Sequence, residues 1–108
     1  MSIVAIAAEN KSLQSSLAYR AGQCPWFCLL KEDGSTEFVA NPGKQAQAAF
    51  GVHAFNFLKS MNTRQVVARF FGPRFQELSR QEGISLVIPP RNISKVKEVI
   101  ESMNKQNT

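Results

Sequence analysis

The sequence predicts an α/β domain built on one mixed five-stranded sheet, and three observations lead to this prediction. The chain has 108 residues, which is near the commonest size of a single domain. Its first segment is continuously apolar, as in a strand that is buried on both faces of a sheet. Strand-like and helix-like segments alternate in its second half, which is the pattern of parallel strands joined by helical crossovers.

The first half of the chain predicts three strands. Residues 2–8, SIVAIAA, form the first and central strand, and a polar loop follows over residues 9–23. The segments PWFCLLK and TEFVA flank EDGS, whose Asp33-Gly34 pair favours a hairpin turn because both residue types tolerate positive φ. The second and third strands are therefore predicted to be antiparallel neighbours.

A loop and a helix are predicted next. NPGKQ, residues 41–45, has the composition of a loop, and a helix is expected within residues 47–61. Gly51 suits the first turn of this helix better than its middle. An apolar stripe at helical spacing consists of Val52, Phe55 and Leu58, with Phe50 or Ala54.

The remaining segments predict two more strands and two more helices. RQVVARF, residues 64–70, is the fourth strand, and Pro73 suits the first position of a helix that Gly83 ends. SLVIP is the fifth strand, and Asn92 is predicted to cap the last helix. The domain is expected to span residues 1–104, with a polar tail at 105–108.

The order βββαβαβα predicts the sheet order 3-2-1-4-5, which is the layout of the ribonuclease H-like motif. Ligands of open α/β sheets bind beyond the carboxyl ends of the strands, where the strand order reverses. That point lies between the first and fourth strands. The loops around it are residues 8–23, 70–74 and 89–92.

Catalysis is not expected. Two-metal nuclease chemistry needs several converging carboxylates, but only Glu9 follows the first strand, since Glu32 and Asp33 lie in the distant hairpin. The only histidine, His53, has no motif that ties it to a cysteine or serine nucleophile. We expect His53 to lie on the surface of the first helix or to be half-buried there, and the protein not to be an enzyme.

The two cysteines form a C-x-x-x-C pair, which is neither a redox C-x-x-C motif nor part of a zinc site. Within one strand they would lie roughly 13 Å apart, because each residue adds about 3.3 Å. Cys28 is predicted to be a small buried core residue. Cys24 precedes Pro25 at the loop edge, and two interpretations stay open for it: a thiolate ligand or a packed thiol.

The charge pattern predicts a small anionic ligand. The net charge is +5, and the basic residues are spread along the chain without the clustering typical of a nucleic-acid binder. Gly72, Pro73 and Arg74 open a helix, and two interpretations stay open for this turn: an anion site made by the N-terminal amides and the arginine, or an ordinary strand-to-helix turn with a solvated arginine. Arg20, and Arg69 or Arg91, either converge on the same place or are surface charges. No segment is long and apolar enough to cross a membrane, and a cytoplasmic location is expected.

The chain resembles, almost end to end, the dinitrogenase iron-molybdenum cofactor biosynthesis family, which includes NifX and NafY type carriers and the C-terminal domain of NifB. The likeness lies in IVAIAAENKSLQSSL, RAGQCPWFCLLKEDG, NPG, GVHAFNFL and VVARFFGPRFQELSRQEGISLVI, taken in this order. The resemblance implies non-catalytic binding of an anionic metal-sulfur cofactor or precursor, for delivery to another protein. One member of this type holds a molybdenum-copper sulfide cluster.

One departure from the family concerns a metal ligand. The family often has a histidine ahead of Phe-Gly, where this chain has Arg20, Ala21 and Gly22. Cys24 stands two residues later and can substitute a thiolate for the imidazole. The resemblance thus implies a cluster site of Arg20, Gly22, Cys24, Gly72 and Arg74, with Cys24 as the metal ligand. The alternative is a metal-free regulatory or protein-interaction module of the same fold.

Overall fold

A computed structural model of the protein describes residues 3–45 and 49–106. Five strands form its sheet: β1 (Ile3–Ala8), β2 (Trp26–Leu30), β3 (Thr36–Ala40), β4 (Thr63–Val67) and β5 (Ser85–Val87). Their order is β3-β2-β1-β4-β5, which confirms the predicted order. β1 pairs antiparallel with β2 and parallel with β4, so the apolar first segment is the central strand.

Three helices cover the sheet, as predicted: α1 (Phe50–Ser60), α2 (Pro73–Glu82) and α3 (Val96–Gln106). Alternate residues of β1 face opposite sides, and each side has its own buried cluster. Ala7 packs on one side with Phe55 of α1 and Phe75 of α2. Ile6 packs on the other side with Val96 of α3. The core is therefore divided by the sheet into two layers.

The first helix follows the predicted pattern. Gly51 is the second residue of α1, within its first turn. Val52 is half-buried. The fully buried residues of α1 are Ala54, Phe55 and Leu58. Residues 46–48, within or beside the predicted helix window, lie outside the described residues. Pro42–Gln45 forms a 3₁₀ turn within the segment predicted as a loop.

The hairpin between β2 and β3 is confirmed, although only one of its turn residues has positive φ. Gly34 has φ of 89°, and its N–H donates to Lys31 O at 2.9 Å. Asp33 acts through its side chain, because its Oδ1 accepts the backbone N–H of Ser35 at 2.9 Å. Gly34 thus stabilises the turn through its backbone conformation, and Asp33 stabilises it through a side-chain hydrogen bond.

The ends of α2 agree with the prediction, whereas the start of α3 does not. Pro73 opens α2, and Gly83 ends it with φ of 71°. The predicted cap at Asn92 is wrong, since α3 begins at Val96. The carboxylate of Glu98 accepts the backbone N–H groups of Ser94 and Lys95 at 2.9 and 3.0 Å. A carboxylate one turn into the helix therefore caps it, so no cap is needed at residue 92.

Three further boundaries differ from expectation by two residues or more. β5 ends at Val87, two residues before the end of the predicted SLVIP strand. β4 ends at Val67, before the predicted residue 70, because Val67 pairs with Val87, the last residue of its partner β5. Beyond it, Phe70 makes one isolated parallel bridge with Arg20. α3 extends to Gln106, so it includes the first half of the segment predicted as a polar tail. Of the helices in the described ranges, none has both the length and the apolar character that a membrane span requires.

Candidate functional site

Four of the five predicted site residues line one pocket at the carboxyl ends of β1 and β4. The pocket has a volume of about 200 Å³. The predicted residues in its wall are Arg20, Gly22, Gly72 and Arg74. The other residues in its wall are Gln23, Phe50, Gly51, Phe70, Pro73 and Phe75. The described lining therefore contains two guanidinium groups and no carboxylate.

The N-termini of two helices meet at this pocket. Phe50 and Gly51 open α1, and Pro73, Arg74 and Phe75 open α2; all five line the cavity. The first N–H groups of a helix have no partner within it, and the helix dipole places partial positive charge there. Both effects favour an anion between the two helix ends.

Arg20 is held at the rim by an aromatic side chain. Its guanidinium carbon lies 4.9 Å from the ring centroid of Phe70, a cation–π distance. The Phe70 N–H donates to Tyr19 O at 2.7 Å, and the Ala21 N–H donates to Phe70 O at 3.2 Å. These bonds join the loop after β1 to the segment after β4. Arg20 and Gly72 are thereby brought to the same pocket from distant parts of the sequence.

Arg74 is held less firmly than Arg20. It is exposed, and its Nη1 lies 3.5 Å from Oε1 of Glu77, an ion pair between groups that both reach solvent. A pair of this kind contributes little to stability. Arg74 is therefore free to exchange Glu77 for an anion in the pocket.

Two glycines, Gly22 and Gly43, allow the backbone of the loop and of the 3₁₀ turn to lie close against α1. A Cβ added to Gly22 would stand 3.1 Å from the Cα of Gly51. A Cβ added to Gly43 would stand 2.7 Å from Phe50 O and 2.9 Å from Gly22 O. No side chain fits in these gaps without a shift of backbone. The close approach forms the wall of the pocket on the α1 side.

Asn41 lies buried beneath the same loop, with 3% of its surface exposed. Its Nδ2 donates to Cys24 O at 2.9 Å and lies 3.3 and 3.4 Å from the carbonyl oxygens of Gly22 and Ala21. Its Oδ1 accepts the N–H of Gly43 at 2.8 Å. One side chain thus joins the loop to the 3₁₀ turn.

The fifth predicted residue, Cys24, is not in this lining. It is 2% exposed and packs in the cluster beneath α1 and α2. It contributes to a neighbouring pocket of about 200 Å³, which shares Arg20 and Gln23 with the first and adds Lys44. Burial raises the pKa of the Cys24 thiol to about 12, so the thiol is protonated at neutral pH.

Cys28 is buried, as predicted, in the cluster on the opposite face of the sheet. Burial raises the pKa of its thiol to about 11. Within the described ranges, no three His, Cys, Asp or Glu side chains form a group that could hold a metal ion.

The other charged candidates lie elsewhere. The guanidinium of Arg69 donates to the backbone carbonyls of Pro89, Pro90 and Ile93, so it holds the loop after β5. Arg91 is exposed and does not line the pocket. His53 is exposed on α1, which confirms the expectation of a helix-surface position.

Several site residues were missed by the sequence reasoning. The sequence pattern places Phe50 in the apolar stripe of the first helix, Phe70 at the end of the fourth strand and Asn41 in a loop, and it does not single out Phe75. The glycine of NPG, Gly43, is a usable signal, because a glycine permits close approach of backbone. Nothing in the sequence signals that Phe70 contacts Arg20, since the two residues are far apart along the chain and their contact depends on the sheet order.

Comparison with known proteins agrees with this fold. The orange protein from Desulfovibrio gigas, in its apo form, superposes with a TM-score of 0.87 at 18% identity, covering 98% of this chain and 89% of that one. A Thermotoga protein described as a NifB protein of the DUF35 family superposes with a TM-score of 0.76 at 23% identity, covering 97% and 89%. No curated protein matches. The family model for dinitrogenase iron-molybdenum cofactor matches residues 2–106, and the chain therefore belongs to that family.

Proposed function

We propose that this protein is a non-catalytic carrier or accessory protein that binds an anionic metal-sulfur cluster, of the iron-molybdenum cofactor type or a precursor of it. The cluster is its cargo, for cofactor biosynthesis or delivery to another protein. The observation that carries the proposal is the convergence of Arg20, Arg74 and two helix N-termini on one pocket without a carboxylate in its described lining. Membership of the dinitrogenase iron-molybdenum cofactor family supports a metal-sulfur cluster as the anion.

The chemistry of the lining fits such a cargo. Guanidinium and backbone N–H groups are donors only, so they match the sulfide and carboxylate acceptors on the outside of an anionic cluster. Phe50, Phe70 and Phe75 add apolar, polarisable surface against which sulfide can pack. Arg20, Gly22, Gly72 and Arg74 would hold the cluster by charge and hydrogen bonds. A recipient or donor protein is then required for its transfer.

Cys24 is the candidate for direct bonding to the metal. Its thiol must lose a proton to bind metal, and burial opposes that loss. A metal at Cys24 therefore requires the loop that contains it to move or the metal itself to displace the proton. The burial of Cys24 favours the alternative of a metal-free interaction module, which the experiment below distinguishes.

The test begins with expression without oxygen, with iron, molybdenum and sulfide supplied, followed by metal analysis and a visible spectrum. We expect bound metal and a charge-transfer spectrum. Purified metal-free protein is then titrated with tetrathiomolybdate, a compact molybdenum-sulfur anion, at mildly alkaline pH. A protein that is colourless after expression and takes up neither cluster nor thiomolybdate would exclude the carrier function and leave the metal-free module.

Arginine variants locate the site. We expect Arg20→Gln and Arg74→Gln each to weaken thiomolybdate binding by roughly tenfold or more, because each removes a charge-assisted hydrogen bond. Arg91→Gln is the matched control, since Arg91 is exposed and outside the lining. Equal weakening by all three substitutions would show that only the net charge matters and that the pocket is not the site.

A further inference from the structure

The turn that contains Arg20 and Gly22 has few backbone bonds of its own. The Gln23 N–H closes it with a long bond of 3.4 Å to Arg20 O. The buried carbonyl oxygens of Ala21 and Cys24, and the half-buried one of Gly22, instead face the amide of Asn41. Acceptors withdrawn from water need a donor, and here three of them share the two N–H donors of one side-chain amide. Ala21 O also accepts the S–H of Cys24, at 3.5 Å. The shape of the turn therefore depends on a residue from the other side of the β2–β3 hairpin.

The direction of these carbonyl groups determines the direction of an N–H group. In a planar trans peptide, the C=O of one residue and the N–H of the next point in opposite directions. The carbonyl of Ala21 points at Asn41, so the N–H of Gly22 points away from Asn41. Gly22 lines the anion pocket and Asn41 does not. The N–H of Gly22 is thus directed away from Asn41, and Gly22 itself lines the pocket.

We propose that Asn41 is a positioning residue of the anion site, which holds the turn of residues 20–24 so that Arg20 and the Gly22 N–H face the pocket. Asn41 does not touch the anion. It acts through the backbone, and its Oδ1 fixes its own orientation by accepting the Gly43 N–H. The role of Asn41 in anion binding rests on the proposed function of the protein. Its role in holding the turn of residues 20–24 can be measured without a ligand.

Asn41→Asp and Asn41→Ala separate the role of the Asn41 amide oxygen, which accepts a hydrogen bond, from that of its NH2 group, which donates. In the aspartate variant, an ionised carboxylate still accepts the Gly43 N–H, but it faces carbonyl oxygens with no hydrogen to donate. A protonated carboxyl regains one O–H donor. Burial beside carbonyl groups raises the pKa of such a carboxyl above its usual value of about 4. The aspartate variant should therefore recover in mild acid, and the alanine variant should not.

The turn is monitored through Cys24, whose buried thiol lies 3.5 Å from Ala21 O in the turn and 3.6 Å from Nδ2 of Asn41. All proteins also contain Cys28→Ser, and the rate of reaction with dithiodipyridine, which works in mild acid, is measured across pH. At neutral pH we expect the two Asn41 variants to react at least about tenfold faster than the parent, since lost packing exposes the thiol. In acid the aspartate variant should return toward the parent rate. Asn56→Asp, an exposed site on α1, is the control and should match the parent.

Binding supplies the second measurement. In mildly alkaline solution we expect both Asn41 variants to bind tetrathiomolybdate about tenfold more weakly than the parent, with Asn56→Asp unchanged. A parent that binds no thiomolybdate contradicts the proposed function, and the thiol rates still decide whether Asn41 holds the turn. Variants that keep Cys24 protected, or that expose it only in proportion to the unfolded fraction seen by circular dichroism, overturn the inference.

Discussion

At the scale of single residues, the site depends on positions that have no side chain. Gly43 does not have positive φ, so a glycine is required there because neighbouring backbone leaves no room for a side chain. A Cβ at this position would stand 2.7 Å from Phe50 O, which is backbone and cannot rotate away. Gly51 differs, because a Cβ there would meet only the side chain of Phe75 at 3.8 Å.

The two glycines should therefore respond in opposite directions to the same substitution. We expect Gly43→Ala to lower the free energy of unfolding by about 2 kcal/mol, since overpacking forces the backbone apart. Gly51→Ala should raise it by roughly 0.5 to 1 kcal/mol, because alanine is the better helix former. Urea unfolding measures both. A Gly43→Ala protein as stable as the parent would show that the approach of loop and helix is not tight.

At the scale of elements, the helix ends show which local sequence signals are sufficient to predict where a helix begins or ends. α2 has Pro73 at its start and Gly83 at its end, and both act through their own backbone conformation. α3 begins differently, because the carboxylate of Glu98 reaches back to the N–H groups of Ser94 and Lys95. These bonds lower the pKa of Glu98 below its ordinary value of 4.5.

A carboxyl group whose pKa is lower in the folded protein than in the unfolded chain makes the folded protein more stable at neutral pH than in acid. The ionised Glu98 stabilises the folded protein above pH 4.5, and this contribution is lost as pH falls through the lower pKa of the folded state. We expect Glu98→Gln to be less stable than the parent at neutral pH, with the difference shrinking in acid. Urea unfolding over a pH series from neutral to below the ordinary pKa of glutamate measures it. A difference that stays constant with pH would mean that the charge of Glu98 is not involved.

At the scale of the whole molecule, the sheet separates the two thiols. Cys24 belongs to the cluster under α1 and α2, and Cys28 belongs to the cluster under α3. Both pKa values are raised by burial. The two residues cannot act as a pair, and only Cys24 lies at the ligand end of the sheet.

This separation makes the proposed ligand testable. If Cys24 bonds the metal, Cys24→Ser should weaken cluster binding far more than Cys28→Ser does, because a hydroxyl is a poor ligand for a soft metal. Visible titration with tetrathiomolybdate, and metal content after anaerobic expression, measure the affinity. Equal effects of the two substitutions would refute Cys24 as the ligand and leave charge and hydrogen bonds to hold the cluster.

The sequence by itself determined the order of the elements and therefore the sheet. Runs of apolar residues, the Asp33-Gly34 turn, and Pro73 with Gly83 are local signals, because each acts within a few residues along the chain. The rule for crossover connections then placed the ligand end between β1 and β4. Arg20, Gly72 and Arg74 could be predicted as neighbours on these grounds, whereas Gly22 was implied by the family resemblance.

Only the tertiary structure decided which other groups complete the site. Asn41 reaches the turn, and Phe70 reaches Arg20, because the folded sheet brings separate loops to one end. The same packing placed Cys24 in the core, although its sequence position fits either a ligand or a buried thiol. Local periodicity records which face a residue occupies within its own element. Contacts between loops depend on how the elements pack together, and no short stretch of sequence contains that information.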